Sequence, residues 1–341
     1  MAHHFPFYQR YQHQEIRDLA WCCFSSPLLQ SLPGSDASIW RNRSEAEDRV
    51  WLDALDRNPT PLLDHLAQSK STRLGVYYEN LLKFYWLHQP HIRLLAHNVQ
   101  IHTTDNRSGS NLTFGAMDFL IQHVAEFWHL EAAVKFYLGQ PAAKSESTVD
   151  STGDASAWEQ WLGPNCNDRL DIKLNRMRQH QLPLSQSEPA QPLLRRVNPE
   201  AQPWRRGLCL QGYLFYPGDA LMTAPQAAHP QHLRGRWWHL NRFLEELKRP
   251  HPALTDEVNN GAAYWLILPR ARWLSPAQTT DIQTLYSAGQ LQEALSHWVD
   301  HNNRPQLIAA MRKVDQVWLE NARFFIVPDH WPWTGRPSRN T

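Results

Sequence analysis

The alternation of apolar and polar residues between Gly115 and Leu138 predicts a β-hairpin. A repeat of two residues places alternate side chains on one face of a strand. With a short turn near 123–126, the two strands are expected to bring Asp118 close to Glu131 on a solvent-facing side. Lys135 shares a strand face with Glu131, so the hairpin is predicted to gather two carboxylates and one ammonium group.

This set of side chains suits the hydrolysis of phosphodiester bonds. Two neighbouring carboxylates repel each other unless a cation neutralises them, and hard oxygen ligands suit Mg²⁺ or Mn²⁺. Such a cation acidifies water and contacts phosphate, while a lysine neutralises charge that develops in the transition state. Asp118 and Glu131 are therefore candidate metal ligands and Lys135 a candidate catalytic residue. The alternative is that all three are ordinary polar residues on the wet face or edge of a sheet.

Other periodic segments flank the hairpin and give a mixed α/β order of elements. The apolar spacing predicts a helix over 74–88, a strand over 91–103, a helix over 168–181 and a strand over 206–216. In the C-terminal part it predicts helices over 237–247, 282–300 and 306–311, and strands over 263–269 and 323–328.

These elements divide the chain into three predicted regions. Residues 1–70 are expected to form a helical N-terminal cap, 71–217 an α/β core, and 218–341 a mixed C-terminal extension packed on the core. Two segments of the core, 141–157 and 184–203, are polar or proline-rich without a period and are predicted to be flexible insertions.

Composition limits how the protein could bind an anionic partner. The chain has 341 residues, 42% of them hydrophobic, and a formal net charge of +1. A nucleic acid would therefore have to be bound by a local basic patch rather than by a global field. Arg169, Lys173 and Arg176 form one stripe on the predicted helix over 168–181 and are candidate nucleic-acid contacts. The alternative is that this stripe is only a solvated helix face.

Cysteine and histidine usage gives no metal-binding or secretory signature. The four cysteines, Cys22, Cys23, Cys166 and Cys209, have no paired metal spacing and are expected to be buried, reduced thiols. No HExxH or Cys-x-x-Cys motif supports a zinc site, and His129 is expected at the surface. No leader or membrane-spanning segment is visible, which favours a cytoplasmic protein without a membrane partner.

The chain resembles the PD-(D/E)XK nuclease superfamily, whose members carry Asp, Glu and Lys on adjacent strands. The residues that carry this resemblance are Asp118, Glu131 and Lys135. The resemblance implies a restriction-endonuclease-like core with a central mixed four-stranded sheet flanked by helices. It also implies metal ligation by Asp118 and Glu131, a catalytic role for Lys135, and an acidic first-helix residue at Glu79. Over nearly its whole length the chain is similar, more narrowly, to a bacterial domain-of-unknown-function family, number 1853. The segments LGVYYENLL, HLEAAVKFYL, DRLDIKLNRM and RFFIVPD carry this second similarity.

The chain departs from the superfamily pattern at two points. Ala133 stands two positions after Glu131, where lysine is usual, and Lys135 follows four positions after it. This displaces the lysine by about 6.6 Å along an ideal strand. Either a β-bulge restores the reach of Lys135, or Lys173 supplies the charge from the helix. Met117 stands before Asp118 in place of a motif proline.

The leading hypothesis is a Mg²⁺-dependent (or Mn²⁺-dependent) nuclease-like protein acting on nucleic acid, with DNA favoured over RNA. One alternative is a catalytically inactive module of the same fold that binds nucleic acid or a protein partner. Another is an interaction protein whose C-terminal half docks a partner through tryptophans, namely Trp237, Trp238, Trp265 and Trp273.

Overall fold

Eight α-helices and an 11-stranded mixed sheet form the regular structure of the residues described by the computed structural model. Those residues are 7–42, 46–104, 111–141, 156–248, 264–302 and 304–333. The chain forms two compact units. The first contains residues 1–135, 172–212 and 227–232, and the second contains 136–171, 213–226 and 233–341. The mixed α/β class is therefore confirmed, whereas a sheet of only four strands is wrong.

The helices are α1 Gln14–Phe24, α2 Ala46–Arg57, α3 Thr60–Ala67, α4 Leu74–His88, α5 Leu170–Arg176, α6 Gln191–Val197, α7 Leu240–Lys248 and α8 Ala288–Asn302. The strands are β1 Ser38–Ile39, β2 Ile92–Thr104, β3 Asn111–His123, β4 Glu126–Gly139, β5 Trp161–Leu162, β6 Trp204–Pro217, β7 Leu233–His239, β8 Tyr264–Leu268, β9 Gln278–Thr279, β10 Gln306–Val314 and β11 Val317–Val327.

The first unit is built on an antiparallel meander. Strand β2 pairs with β3, and β3 pairs with β4 through the predicted hairpin. Strand β6 is the next neighbour of β4, and β1 joins β6 in parallel. Helix α4 contacts β2, and helices α1 and α3 pack against α4. Its apolar positions recur at helical spacing, so one side of α4 is buried along its length. The buried residues on this side are Leu74, Tyr78, Leu81, Leu82 and Tyr85.

The second unit is built on the strand order β6, β7, β11, β10 and β8. The β6–β7 and β7–β11 pairs are parallel, and the β11–β10 and β10–β8 pairs are antiparallel. Helices α7 and α8 contribute to a hydrophobic cluster on these strands. Trp237, Trp238 and Trp265 are buried and Trp273 is partly buried. Three of the four tryptophans that suggested a docking face are therefore core residues.

All three predicted helices of the C-terminal part are wrong in whole or in part. The helix predicted over 282–300 begins only at Ala288, after a 3₁₀ turn at Ile282–Thr284. Residues 306–311 belong to strand β10. The apolar run 307–311 within them is buried on both faces and has no period that distinguishes strand from helix. The predicted helix over 237–247 begins only at Leu240, after strand β7.

The segment 184–203 is not an irregular linker. It contains a 3₁₀ turn at Glu188–Ala190 and helix α6, and it buries Leu184, Ala190 and Leu194 in a hydrophobic cluster. Residues 142–155 of the other predicted insertion lie outside the described residues. The predicted three-region division stays a prediction.

The helix expected over 168–181 also ends differently. Helix α5 ends at Arg176. A π-helical turn, Met177–Gln181, follows it directly, and a 3₁₀ turn, Leu182–Gln186, follows that. Pro183 does not end this path, because a proline in the first turn of a new helical segment lacks only an N–H that would be unsatisfied there.

Candidate functional site

The β3–β4 hairpin places Asp118 and Glu131 at the point where its paired register ends. The last pair is Phe119 opposite Leu130. Beyond it, the backbone N–H of Asp118 donates to Glu131 Oε1 at 3.4 Å, and the backbone N–H of Ala132 donates to Asp118 Oδ2 at 2.9 Å. Each carboxylate thus accepts a backbone donor of the opposite strand. The predicted meeting of these two acids is present in the structure.

The site is less exposed than the alternation pattern suggested. Glu131 is 0% exposed, whereas Asp118 is partly exposed. The prediction of a solvent-facing Glu131 is wrong, because β4 lies between β3 and β6 and is buried on both faces for most of its length. Of the two acids, Asp118 alone keeps some solvent-exposed surface.

His129 lies beside Glu131 and is also 0% exposed, so its predicted surface position is wrong. Its Nε2 lies 3.0 Å from Glu131 Oε1, and its Nδ1 lies 3.1 Å from Ser185 Oγ. Burial lowers the pKa of His129 to about 4, so the imidazole is neutral at neutral pH. A neutral ring that donates from Nε2 to the carboxylate fixes the orientation of Glu131.

Gln181 holds the other oxygen of Glu131. Its Nε2 donates to Glu131 Oε2 at 2.5 Å, and its Oε1 accepts from Lys173 Nζ at 3.1 Å. Gln181 closes the π-helical turn after α5, a local geometry that is frequent at functional sites. Sequence reasoning missed both His129 and Gln181. The two-residue repeat does place His129 on the face of Glu131, whereas no local pattern marks Gln181.

Three carboxyl groups at the site have raised pKa values. Burial is the largest cause for each, and it brings the pKa of Asp118, Glu131 and Glu79 to about 7. Mutual repulsion adds to this effect, since Glu131 raises the pKa of Asp118 and Asp118 raises that of Glu79. Glu79 lies in the first half of α4, and its charge raises the pKa of Glu131. Burial and mutual repulsion therefore favour the protonated forms of these carboxyl groups in the absence of a cation.

Lys173 is the lysine that interacts with these carboxyl groups. Its positive charge lowers the pKa of Asp118, Glu131 and Glu79, and burial lowers its own pKa. Lys135 is partly buried on β4, and its charge lowers the pKa of Lys173. The two lysines are thus neighbours, with Lys173 facing the acids.

The three residues of the predicted basic stripe have different surroundings. Arg176 is exposed at the end of α5. Arg169 belongs to the second unit, where its Nε lies 2.6 Å from Asp171 Oδ1. Of the three residues, Lys173 alone is brought to the carboxyl groups by the described structure.

The donor set at the site fits some cations better than others. Among the described residues, no group of three or more His, Cys, Asp or Glu side chains is arranged to hold a metal ion. A closed structural zinc site, which needs four such ligands, does not fit. Mg²⁺ keeps several waters and is commonly held by one or two carboxylates together with substrate phosphate, and this fits Asp118 and Glu131.

Of the four cysteines, Cys22, Cys23 and Cys209 are buried, Cys166 is partly buried, and all four are free thiols. The expected burial of Cys166 is therefore wrong. Burial is the largest cause of the raised pKa of the Cys209 thiol, and the charges of Asp118 and Glu131 raise it further. Cys209 therefore lies near the site. It is expected to be unreactive at neutral pH. Within the described ranges, no helix has the length and apolar character needed to cross a membrane.

The family model of a domain of unknown function, DUF1853, matches residues 17–327. No curated protein and no solved structure matches the chain.

Proposed function

The chain belongs to the DUF1853 family, and from its site we propose that it is a Mg²⁺-dependent or Mn²⁺-dependent nuclease of the PD-(D/E)XK type. Its substrate would be nucleic acid, with DNA favoured. The observation that carries the proposal is the paired geometry of Asp118 and Glu131, in which each carboxylate accepts a backbone N–H of the opposite strand, at 2.9 Å for Asp118 and 3.4 Å for Glu131. Burial raises the pKa of both to about 7. A divalent cation would replace the protons that such a pair holds.

Each residue of the site has a role in this proposal. Asp118 and Glu131 would hold the cation, which supplies acidified water and neutralises phosphate charge. Lys173 would stabilise negative charge that develops on the phosphate. Glu79, with a pKa of about 7, is suited to accept a proton near neutral pH.

His129 and Gln181 would act as positioning residues. Each holds one oxygen of Glu131, by contacts of 3.0 Å and 2.5 Å. Ligands that are fixed by surrounding hydrogen bonds bind a metal more tightly than mobile ones.

Local positive charge supports a nucleic-acid substrate. Lys135 and Lys173 are close enough for one charge to lower the pKa of the other ammonium group. A polyanionic strand would relieve this repulsion, and Arg176 adds an exposed charge on the same helix as Lys173. A cytoplasmic location and a bacterial source are part of the same proposal.

Two observations favour the alternative of an inactive nuclease-fold module that binds nucleic acid or a protein. The position that usually carries lysine is Ala133, and both oxygens of Glu131 already accept hydrogen bonds. Such a module would bind its partner without cleaving it.

Asp118→Asn and Glu131→Gln test the proposal. Single-stranded and double-stranded DNA, with RNA in parallel, would be incubated with purified protein and Mg²⁺ or Mn²⁺. We expect each substitution to lower the rate of metal-dependent cleavage by at least about 10²-fold, a scale typical of removing one catalytic charge. Asp64→Asn, which changes an exposed carboxylate on α3, is the matched control and should cleave like the parent protein.

Unchanged cleavage in Asp118→Asn would overturn the assignment. Calorimetric titration with Mn²⁺ separates the two functions. Cation binding that depends on Asp118 supports the nuclease, whereas no cation binding together with no cleavage supports the inactive module.

A further inference from the structure

An open cavity of about 640 Å³ lies in the first unit, and none of its lining residues belongs to the carboxylate site. It is bordered by the end of α4, the start of α2, the segment after β1, the start of β2 and the end of β3. Pockets for small organic ligands span roughly 300–1,000 Å³. The cavity is therefore large enough to hold a whole small molecule.

Trp51 of α2 lines the cavity and keeps part of its surface exposed. The ring centroids of Phe84 and His88 lie 6.1 Å and 6.0 Å from that of Trp51, with planes inclined to it by 26° and 29°. The centroids of Phe84 and His88 are only 4.1 Å apart. Rings stacked on opposite faces of an indole would be separated by roughly 7 Å, which is twice the contact distance of about 3.5 Å. Phe84 and His88 therefore cover one face of Trp51 at most.

Trp40 is a second half-buried indole in the cavity lining. Its Nε1 donates to Asn42 Oδ1 at 2.9 Å, so its only polar atom already has a partner. His123 and Trp128 meet it at 80° and 71°, so neither ring is stacked flat on the indole. Trp40 thus offers π surface, rather than a hydrogen-bonding group, to a ligand.

The charged side chains of the cavity favour a cation over an anion. Two acids, Glu47 and Asp48, line it together with one arginine, Arg41. Asp48 is buried and already accepts from Tyr85 Oη at 3.3 Å. Glu47 is exposed in the first turn of α2 and forms no ion pair within the described part of the chain. Glu47 is therefore the carboxylate with which a ligand would pair.

Glu47 and Trp51 stand four residues apart on α2, so their side chains lie on one face of the helix. An electron-rich ring attracts a cation, and indole does so most strongly among the aromatic side chains. A guanidinium ion is planar, so it can stack on an indole while its N–H groups donate to a carboxylate at its edge. An ammonium ion is a compact, strongly hydrated charge without such a plane. The pair of Glu47 and Trp51 therefore suits guanidinium.

We propose that this cavity binds a small organic molecule that carries a guanidinium group. The guanidinium group packs on the Trp51 ring and donates to the Glu47 carboxylate, and the hydrocarbon body of the ligand packs on Trp40. This site goes beyond the proposed nuclease, because it shares no residue with the carboxylate pair. It stands whether or not the protein cleaves nucleic acid.

Calorimetric titration with butylguanidinium and with butylurea tests the proposal. The two probes have nearly the same shape, but only the first is charged. We expect butylguanidinium to bind at least about fivefold more tightly, since a partly desolvated cation gains on this scale from an indole face. Equal affinities, or no binding of butylguanidinium at millimolar concentration, would overturn the proposal.

Variants of the two α2 residues locate the binding. Trp51→Leu should weaken butylguanidinium binding about fivefold or more, and Trp51→Phe, which keeps a ring, should recover part of the loss. Glu47→Gln changes an exposed side chain, so it should fold normally and weaken binding about twofold or more. Glu200→Gln is the matched control, because Glu200 is an exposed carboxylate of the first unit outside the cavity lining. Full binding by both Trp51→Leu and Glu47→Gln would overturn the proposal.

Two further titrations exclude another site and another source of the guanidinium group. Asp118→Asn should bind butylguanidinium like the parent protein, whereas loss of binding in this variant would move the ligand to the carboxylate pair and overturn the cavity. Agmatine and an arginine-containing tripeptide with blocked ends should be titrated in parallel. Tighter binding of agmatine supports a small molecule, and tighter binding of the tripeptide would overturn it in favour of an arginine side chain.

Discussion

His129 and Glu131 stand two residues apart on β4, and both are 0% exposed, with His129 Nε2 3.0 Å from Glu131 Oε1. A buried carboxylate is costly unless donors surround it. This contact is one of the hydrogen bonds that keep Glu131 in a fixed position beside Asp118.

Replacing His129 should lower both the stability of the protein and its affinity for Mn²⁺. In His129→Leu, Glu131 Oε1 loses a buried donor, and we expect the free energy of unfolding to fall by about 1–3 kcal/mol. Mn²⁺ affinity should fall as well, because Glu131 becomes mobile. Urea denaturation and calorimetry measure the two effects, and His129→Gln, which keeps a donor, should recover part of both. Unaltered stability and affinity in His129→Leu would show that the hydrogen bond does not matter.

The stability of the cation-free protein should fall as pH rises from about 6.5 to 8.5. The pKa values of Asp118, Glu131 and Glu79 are raised to about 7, so the folded state holds protons that the unfolded state releases at lower pH. Their contribution is present at low pH and is lost as pH passes through 7. The pKa values of His129 and His97 are lowered to about 4, so their stabilising contribution is gained as pH rises through the unfolded value of 6.5 and opposes the fall only at the lower end of this interval.

Thermal unfolding with a chelator, and with Mg²⁺ or Mn²⁺ in excess, measures this dependence. The cation should raise the melting temperature more at pH 8.5 than at pH 6, because it binds the deprotonated pair. Glu131→Gln should show a smaller fall with pH. A melting temperature that rises across this interval would contradict the raised pKa values.

Lys173 should matter more for cleavage than Lys135. The charge of Lys173 acts on all three carboxyl groups, whereas that of Lys135 acts on Lys173. We expect Lys173→Met to lower the single-turnover cleavage rate by about 10²-fold or more, and Lys135→Met to lower it less. The two variants serve as controls for each other, since each removes one ammonium group. A larger loss of cleavage rate in Lys135→Met than in Lys173→Met would assign the catalytic role to Lys135 on β4.

Gly212 permits the close approach of β6 to β4. Its φ is +138°, and a Cβ built there would overlap the carbonyl oxygen of Lys135. Gly212→Ala is therefore expected to lower the free energy of unfolding by more than about 1 kcal/mol and to disturb the position of Lys135. Gly75→Ala on α4 is the matched control, because a Cβ there meets nothing within 4 Å. Equal denaturant midpoints for the two variants would contradict this account.

Elements with a clear period and definite ends were predicted well. Helix α4 has the predicted bounds of residues 74 and 88, and the hairpin of β3 and β4 turns where expected. The failure at β10 has a simple cause. A run of apolar residues that is buried on both faces has the same local pattern in a helix as in a strand, and only its neighbours β11 and β8 decide between them.

The sequence by itself determined that Asp118 and Glu131 meet, because strand period and turn position fix which residues of a hairpin lie together. Tertiary structure alone decided how they are surrounded. The burial of Glu131, the contacts from His129 and Gln181, and the choice of Lys173 as the facing ammonium group all depend on strand β6 and on the turns after α5. These parts are brought to the hairpin from distant positions in the chain, and local patterns carry no information about contacts between segments far apart in sequence.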